Sequence, residues 1–179
     1  MLKDVIISLQ TVQNCDDAEN RSTLDFTTDG HYTYDDNIGC VTYEESEVTG
    51  LPGTRTSLFI MPDQVIVDRD GSLTSRMVFK EGEKTSFLYS TPFGKATMGV
   101  DTRRVSHCFN EMGGTAEVEY VVHVEHAVFT KNRFTIHVNV NGGIKCQIRF
   151  RKQNSRSRIC CIPLMRKLPQ RVRCRPVPF

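Results

Sequence analysis

The sequence predicts an all-β fold: a single antiparallel barrel over residues 1–140, followed by a disordered basic C-terminal extension at 141–179. Three observations predict it. Residues 1–140 alternate apolar and polar with period two, turn formers recur about every eight to twelve positions, and no window sustains a 3.6-residue apolar period. That pattern excludes a helical bundle and a β-α-β alternation. Closure into a meandering barrel is favoured over a sandwich because it removes the unpaired strand edges that template aggregation. Charge marks the boundary of the domain. Residues 1–140 hold 12 basic and 21 acidic side chains, net −9, whereas 141–179 hold 11 basic and no acidic ones, net +11.

The elements follow in order. Val5, Ile7 and Leu9 alternate with Ser8 and Gln10, predicting a first strand over 4–13 that Asn14-Cys15-Asp16-Asp17 ends. A second strand through Leu24 and Phe26 ends at a turn, Asp29-Gly30, and a third runs over His31–Tyr34. Asp35-Asp36-Asn37 turns the chain into Gly39–Glu47, and Gly50-Leu51-Pro52-Gly53 connects to Thr54–Met61. Further strands are predicted at Gln64–Asp68, Leu73–Lys80, Thr85–Ser90 and Lys95–Thr102, separated by turns at Pro62-Asp63, Arg69-Asp70-Gly71-Ser72, Glu81–Lys84 and Thr91–Gly94. Val105–Asn110, Thr115–Val124 and Asn132–Val140 complete the series.

Several function classes are disfavoured by the residues present. No apolar run approaches the roughly 18 residues that a membrane helix needs, and the start turns polar again at Ser8 and Gln10 without a secretory core. The seven cysteines, Cys15, Cys40, Cys108, Cys146, Cys160, Cys161 and Cys174, form no C-x-x-C pair, so a reduced cytoplasmic setting is expected. There is no Gly-x-Ser-x-Gly elbow, Gly-rich phosphate loop or His-Glu-x-x-His, and no catalytic residue is assigned. His123, Glu125, His126 and His137 resemble metal ligands in type only. With the last hairpin turning near residue 128, His137 falls near Glu119, roughly 13 Å from His123 at about 3.3 Å per residue. That is too far for one zinc, so neither a metal nor another cofactor is expected.

A candidate ligand site comes from two strand faces. Val41, Tyr43 and Glu45 share one face, and Val65, Val67 and Arg69 share another. Both faces are apolar and end in a charge, of opposite sign. Facing inward, Glu45 and Arg69 meet at a barrel mouth or pair inside it, because an unpaired buried charge is very costly. The Arg69 fork suits a carboxylate or phosphate. Tyr43, Tyr89 and Thr91 are the expected polar contacts beside it. Met77, Phe79, Phe87, Tyr89, Met98, Tyr120 and Phe134 are the bulky interior candidates, enough to fill a small barrel or to line one cavity.

The ordered set of turns and strands resembles the YwiB-like family of bacterial proteins. The matching stretches are Gly30-His31-Tyr32, Tyr43-Glu44-Glu45-Ser46-Glu47, Gly50–Thr56, Arg69-Asp70-Gly71, Met77–Gly82, Tyr89–Gly94 and Met98–Thr102, with Glu119-Tyr120 through Asn132–Ile136 as the closing hairpin. The resemblance covers residues 3–140 and implies a calycin-type, lipocalin-like barrel in a cytoplasmic bacterial protein. It implies no reaction.

The chain departs from that family after Val140, at an expected Asn141-Gly142-Gly143 hinge. The Arg- and Pro-rich segment that follows buries too little apolar surface to offset the entropy of ordering it. The expected function is a non-catalytic binding protein that takes a small anionic or amphipathic ligand in its barrel or presents a surface to a protein partner. Two other readings compete. The basic tail would attract nucleic acid without sequence preference, although Phe150 and Phe179 are too few for a stacking platform. An enzyme would use Glu45 as base and Arg69 as anion holder at the barrel mouth.

Overall fold

A computed structural model describes residues 1–15, 21–124 and 127–140. The expectations for the 141–179 extension, for Asp16 and Asp17 and for Glu125 and His126 lie outside the described residues. The described residues form ten strands: β1 Lys3–Cys15, β2 Arg21–Asp35, β3 Ile38–Glu44, β4 Thr54–Ile60, β5 Val65–Gly71, β6 Ser75–Phe79, β7 Lys84–Thr91, β8 Gly94–Asn110, β9 Gly113–Val124 and β10 Ala127–Asn139.

All pairings are antiparallel, and the hydrogen-bonded order is β6-β5-β4-β3-β2-β1-β10-β9-β8-β7. Pairing of β1 with β10 joins the two ends of the domain, from Ile6 opposite Asn139 to Cys15 opposite Thr130. The remaining edges, β6 and β7, meet at a seam. Thr74 and Ser90 exchange backbone hydrogen bonds of 2.9 and 3.0 Å there, and the Thr85 hydroxyl donates to the Val78 carbonyl at 2.9 Å. The result is a nearly closed, all-β barrel.

Period-two alternation sets the inside. Inward positions Val5, Ile7 and Leu9 share one buried core with Val41, Leu58, Val65, Phe79, Val118, Ile136 and Val138. Full burial of each such side chain is worth roughly 1.5–3 kcal/mol. On the outer surface, Arg55–Glu44, Arg76–Asp68 and Arg133–Glu119 pair at 2.6–2.7 Å. Exposed pairs of this kind contribute about 1 kcal/mol or less each, so the interior holds the barrel together. Tyr32 is fully buried, and its hydroxyl donates to the Asn110 carbonyl at 2.8 Å.

The turn at Asp35-Asp36-Asn37 forms as expected, with Asp36 and Asn37 both at positive φ (47° and 62°), the backbone that a tight two-residue hairpin needs. Four expectations are corrected. Asp29-Gly30 is no turn: β2 runs through it, with Asp29 opposite Ile6 and Gly30 opposite Val5, and a Cβ at position 30 would lie 2.4 Å from Ile7 Cδ1 and 2.6 Å from the Thr42 carbonyl oxygen. Glycine is needed there for close approach. Arg69-Asp70-Gly71 belongs to β5, held by pairing of Arg69 with Thr56 and Ser75. The two strands expected over 95–110 are one, β8, with a register shift between Thr102 and Arg104 that keeps Val105 facing inward opposite Val118. His137 pairs with Thr115 rather than near Glu119, which pairs with Arg133.

Candidate functional site

The register aligns one inward residue from each of four consecutive strands. Tyr43 on β3 pairs with Thr56 on β4, Thr56 with Arg69 on β5, and Arg69 with Ser75 on β6. One step deeper the corresponding rung is Val41, Leu58, Val67 and Met77, wholly apolar. A barrel wall that is greasy below therefore turns polar in a single rung, because each strand carries its polar residue two positions from its apolar one. Glu45 follows Tyr43 by two and also faces inward, with 8% of its surface exposed.

Tyr43, Arg69 and Ser75 of this rung line a cavity of about 200 Å³. Leu58, Val67, Met77, Phe79, Met98 and Phe134 form much of its apolar wall, and Gln13, Thr130 and Asn132 add polar groups from the opposite side. Phe79 stacks tilted on Tyr120 at 4.7 Å and edge-on to Phe134 at 5.7 Å. All seven bulky interior candidates line the space. They fill the barrel around the cavity without closing it.

The polar end is incompletely satisfied. Arg69 Nε stands 3.8 Å from Glu45 Oε1, an ion pair beyond hydrogen-bond length, while the Thr56 hydroxyl donates to that same oxygen at 2.6 Å. Arg69 Nε, Ser75 Oγ and Gln13 Oε1 are buried and have no hydrogen-bond partner among the described residues. Ser75 is only 3% exposed. Native proteins pair nearly all such atoms, and leaving one unmade costs roughly 1–3 kcal/mol. Burial pushes the Tyr43 phenol above its ordinary range, reinforced by the Glu45 carboxylate and opposed by Arg69. Tyr89 is pushed up by burial, with Arg69 again acting the other way. Both phenols are kept as neutral hydrogen-bonding groups.

The structure thus gathers Tyr43, Glu45, Arg69 and Tyr89 around one cavity. Thr91 is not in its lining. The Thr91 hydroxyl accepts from the Phe93 amide at 3.2 Å and donates to the Gly94 carbonyl at 3.3 Å, so it shapes the β7–β8 turn. Thr56, Ser75, Gln13 and Asn132 were missed in the sequence, since only cross-strand pairing brings them to the site. Among the described residues, no group of three or more His, Cys, Asp and Glu could hold a metal. His137 Nδ1 bonds the Thr115 hydroxyl at 2.8 Å.

Comparison with known proteins places the chain in a family. The chain is 24% identical over 124 residues to the uncharacterized β-barrel protein YwiB of Bacillus subtilis (strain 168), an alignment covering 69% of this chain and 86% of that protein. The crystal structure of the ywiB protein from Bacillus subtilis superimposes with a TM-score of 0.69 at 22% identity, covering 78% of this chain and 92% of the other. At that identity the superposition shows the shared barrel fold. Residues 7–136, from within β1 to within β10, match the domain of unknown function DUF1934, and the chain belongs to that family.

Proposed function

We propose that this barrel is a non-catalytic binding protein whose cavity takes one small amphipathic ligand with an anionic group against Arg69. The observation that carries this reading is the pairing of an apolar cavity with buried polar atoms, Arg69 Nε and Ser75 Oγ, that lack partners. Sites of this kind combine an apolar wall with a few convergent polar groups that fix orientation. A guanidinium nitrogen donates only, so it selects an acceptor, and a carboxylate or phosphate oxygen is the strongest one available. The Ser75 and Tyr89 hydroxyls stand beside it to complete the head-group contacts. The volume is below the ~300 Å³ at which sites for drug-sized ligands begin, which argues for a compact ligand.

Glu45 serves this reading better than it serves an enzyme, because one of its oxygens is already committed to Thr56 and lies beside Arg69. The nucleic-acid reading depends on residues 141–179, outside the described residues. A cytoplasmic setting is part of the proposal. It is supported by free thiols at Cys40 and Cys108, the former made less acidic by burial.

Native mass spectrometry of the purified full chain, beside its R69Q variant, tests the proposal. A small-molecule adduct on the parent chain, weakened or lost in R69Q, is the expected result. An adduct-free parent chain whose cavity holds only water at high resolution would overturn it.

A further inference from the structure

Resting on the ligand-binding reading above, we infer that the head group of the ligand is a zwitterion: the cavity is built for an apolar α-amino acid, its carboxylate on Arg69 and its ammonium on Glu45. The argument is one of charge balance. The site already contains one cation and one anion, Arg69 and Glu45, with the Glu45 side chain 3% exposed. A ligand bearing only a carboxylate would bring the enclosed charge to net −1 and set its own oxygens against Glu45. A buried charge without compensation is strongly disfavoured. A ligand carrying adjacent positive and negative groups leaves the sum at zero and gives each protein charge a partner of opposite sign.

The geometry agrees. At 3.8 Å, Arg69 Nε and Glu45 Oε1 are close enough to attract and too far apart to hydrogen-bond, so the Nε–H is still available to an acceptor. An ammonium has three donors and meets Glu45 and Tyr43 on the side where Thr49 and Leu51 also line the cavity. The Ser75 hydroxyl, buried and without a partner, sits next to Arg69 in the rung as a further donor to the carboxylate. Beyond the head lies the apolar wall of Val67, Met77, Phe79 and Phe134. A cavity of about 200 Å³ suits the apolar side chain of a leucine- or phenylalanine-sized molecule.

Isothermal titration of the full chain near neutral pH, with L-phenylalanine, 3-phenylpropionate and phenethylamine, tests the assignment, since these share one ring and differ only in the head group. L-phenylalanine is expected to bind at least about ten-fold more tightly than either singly charged analogue. Glu45→Gln, which keeps an oxygen for the Thr56 hydroxyl, is expected to abolish the preference over 3-phenylpropionate. Arg69→Gln is expected to abolish the preference over phenethylamine. If 3-phenylpropionate binds as tightly as L-phenylalanine to the parent chain, the zwitterion assignment fails while the ligand-binding reading stands. If none of the three binds at millimolar concentration, the assignment fails, and the mass spectrum of the purified chain decides the broader reading separately. The comparison on the parent chain needs no variant to fold.

Discussion

Arg69 Nε stops 3.8 Å short of Glu45 Oε1, while the Thr56 hydroxyl reaches that oxygen at 2.6 Å. The pair is thus attracted but not locked. Arg69 retains 23% of its side-chain exposure, so part of its charge is still solvated, whereas Glu45 is almost wholly enclosed. Removing the guanidinium therefore strands the more deeply buried partner. Arg69→Gln should destabilise the fold by about 2 kcal/mol, less than the 3–5 kcal/mol of a fully buried pair. The Glu45→Gln/Arg69→Gln double variant should recover part of that loss. Urea unfolding of the four species gives the cycle, and strict additivity would show that the two charges do not interact.

Ser75 makes the opposite prediction. Its buried hydroxyl has no partner, so deleting it removes an unmet polar group rather than a bond. Ser75→Ala should leave stability unchanged or raise it by up to about 1 kcal/mol while weakening ligand binding. A loss of stability on thermal or urea unfolding would show that the hydroxyl is engaged in the fold.

Alkaline stability should depend in part on Tyr32, alongside the Tyr43 and Tyr89 phenols that burial also pushes up. Burial, with a smaller contribution from Tyr34, pushes Tyr32 up to about 12, from 10.0 in the free side chain. The folded state thus holds its phenolic proton to higher pH than the unfolded chain does. The associated stability is complete below pH 10 and declines between pH 10 and about 12. Unfolding free energy measured across that window should fall with pH, and Tyr32→Phe should shallow the slope while losing about 1 kcal/mol with the hydrogen bond to Asn110. An unchanged slope in that variant would assign the effect to other groups.

Gly30 tests the close approach of β2 to its neighbours. Gly30→Ala should cost about 1–3 kcal/mol, the usual range for forced overpacking, because the added methyl meets the Thr42 backbone as well as Ile7. Shortening Ile7 to Val in the same chain should relieve only the side-chain part. Full rescue by that second change would show that the Thr42 carbonyl is no obstacle.

Legibility of the molecule in its sequence followed the range of the interactions involved. Alternation is local, so the inward faces ending in Glu45 and Arg69 could be read directly, and the barrel followed from their number and spacing. Asp29-Gly30 misleads for a physical reason. The dipeptide has the composition of a turn, yet its glycine answers to Ile7 and Thr42, residues distant in sequence. Ser75 and Thr56 join Arg69 only through the β4–β5 and β5–β6 registers, which no single strand encodes. Thr91 follows Tyr89 by two and so shares its face, but the chain turns there and its hydroxyl is consumed by the turn.

The central claim is that a small molecule with an apolar body occupies the interior of the barrel beside Arg69. Methyl NMR of the full chain, titrated with L-phenylalanine, reads it most directly, because Met77 and Met98 line the cavity while Met1 and Met112 are exposed. The account predicts saturable shifts of the Met77 and Met98 methyls, with Met1 and Met112 unmoved and the response much reduced in R69Q. Shifts confined to the exposed methionines, or equal in the parent chain and R69Q, would contradict it.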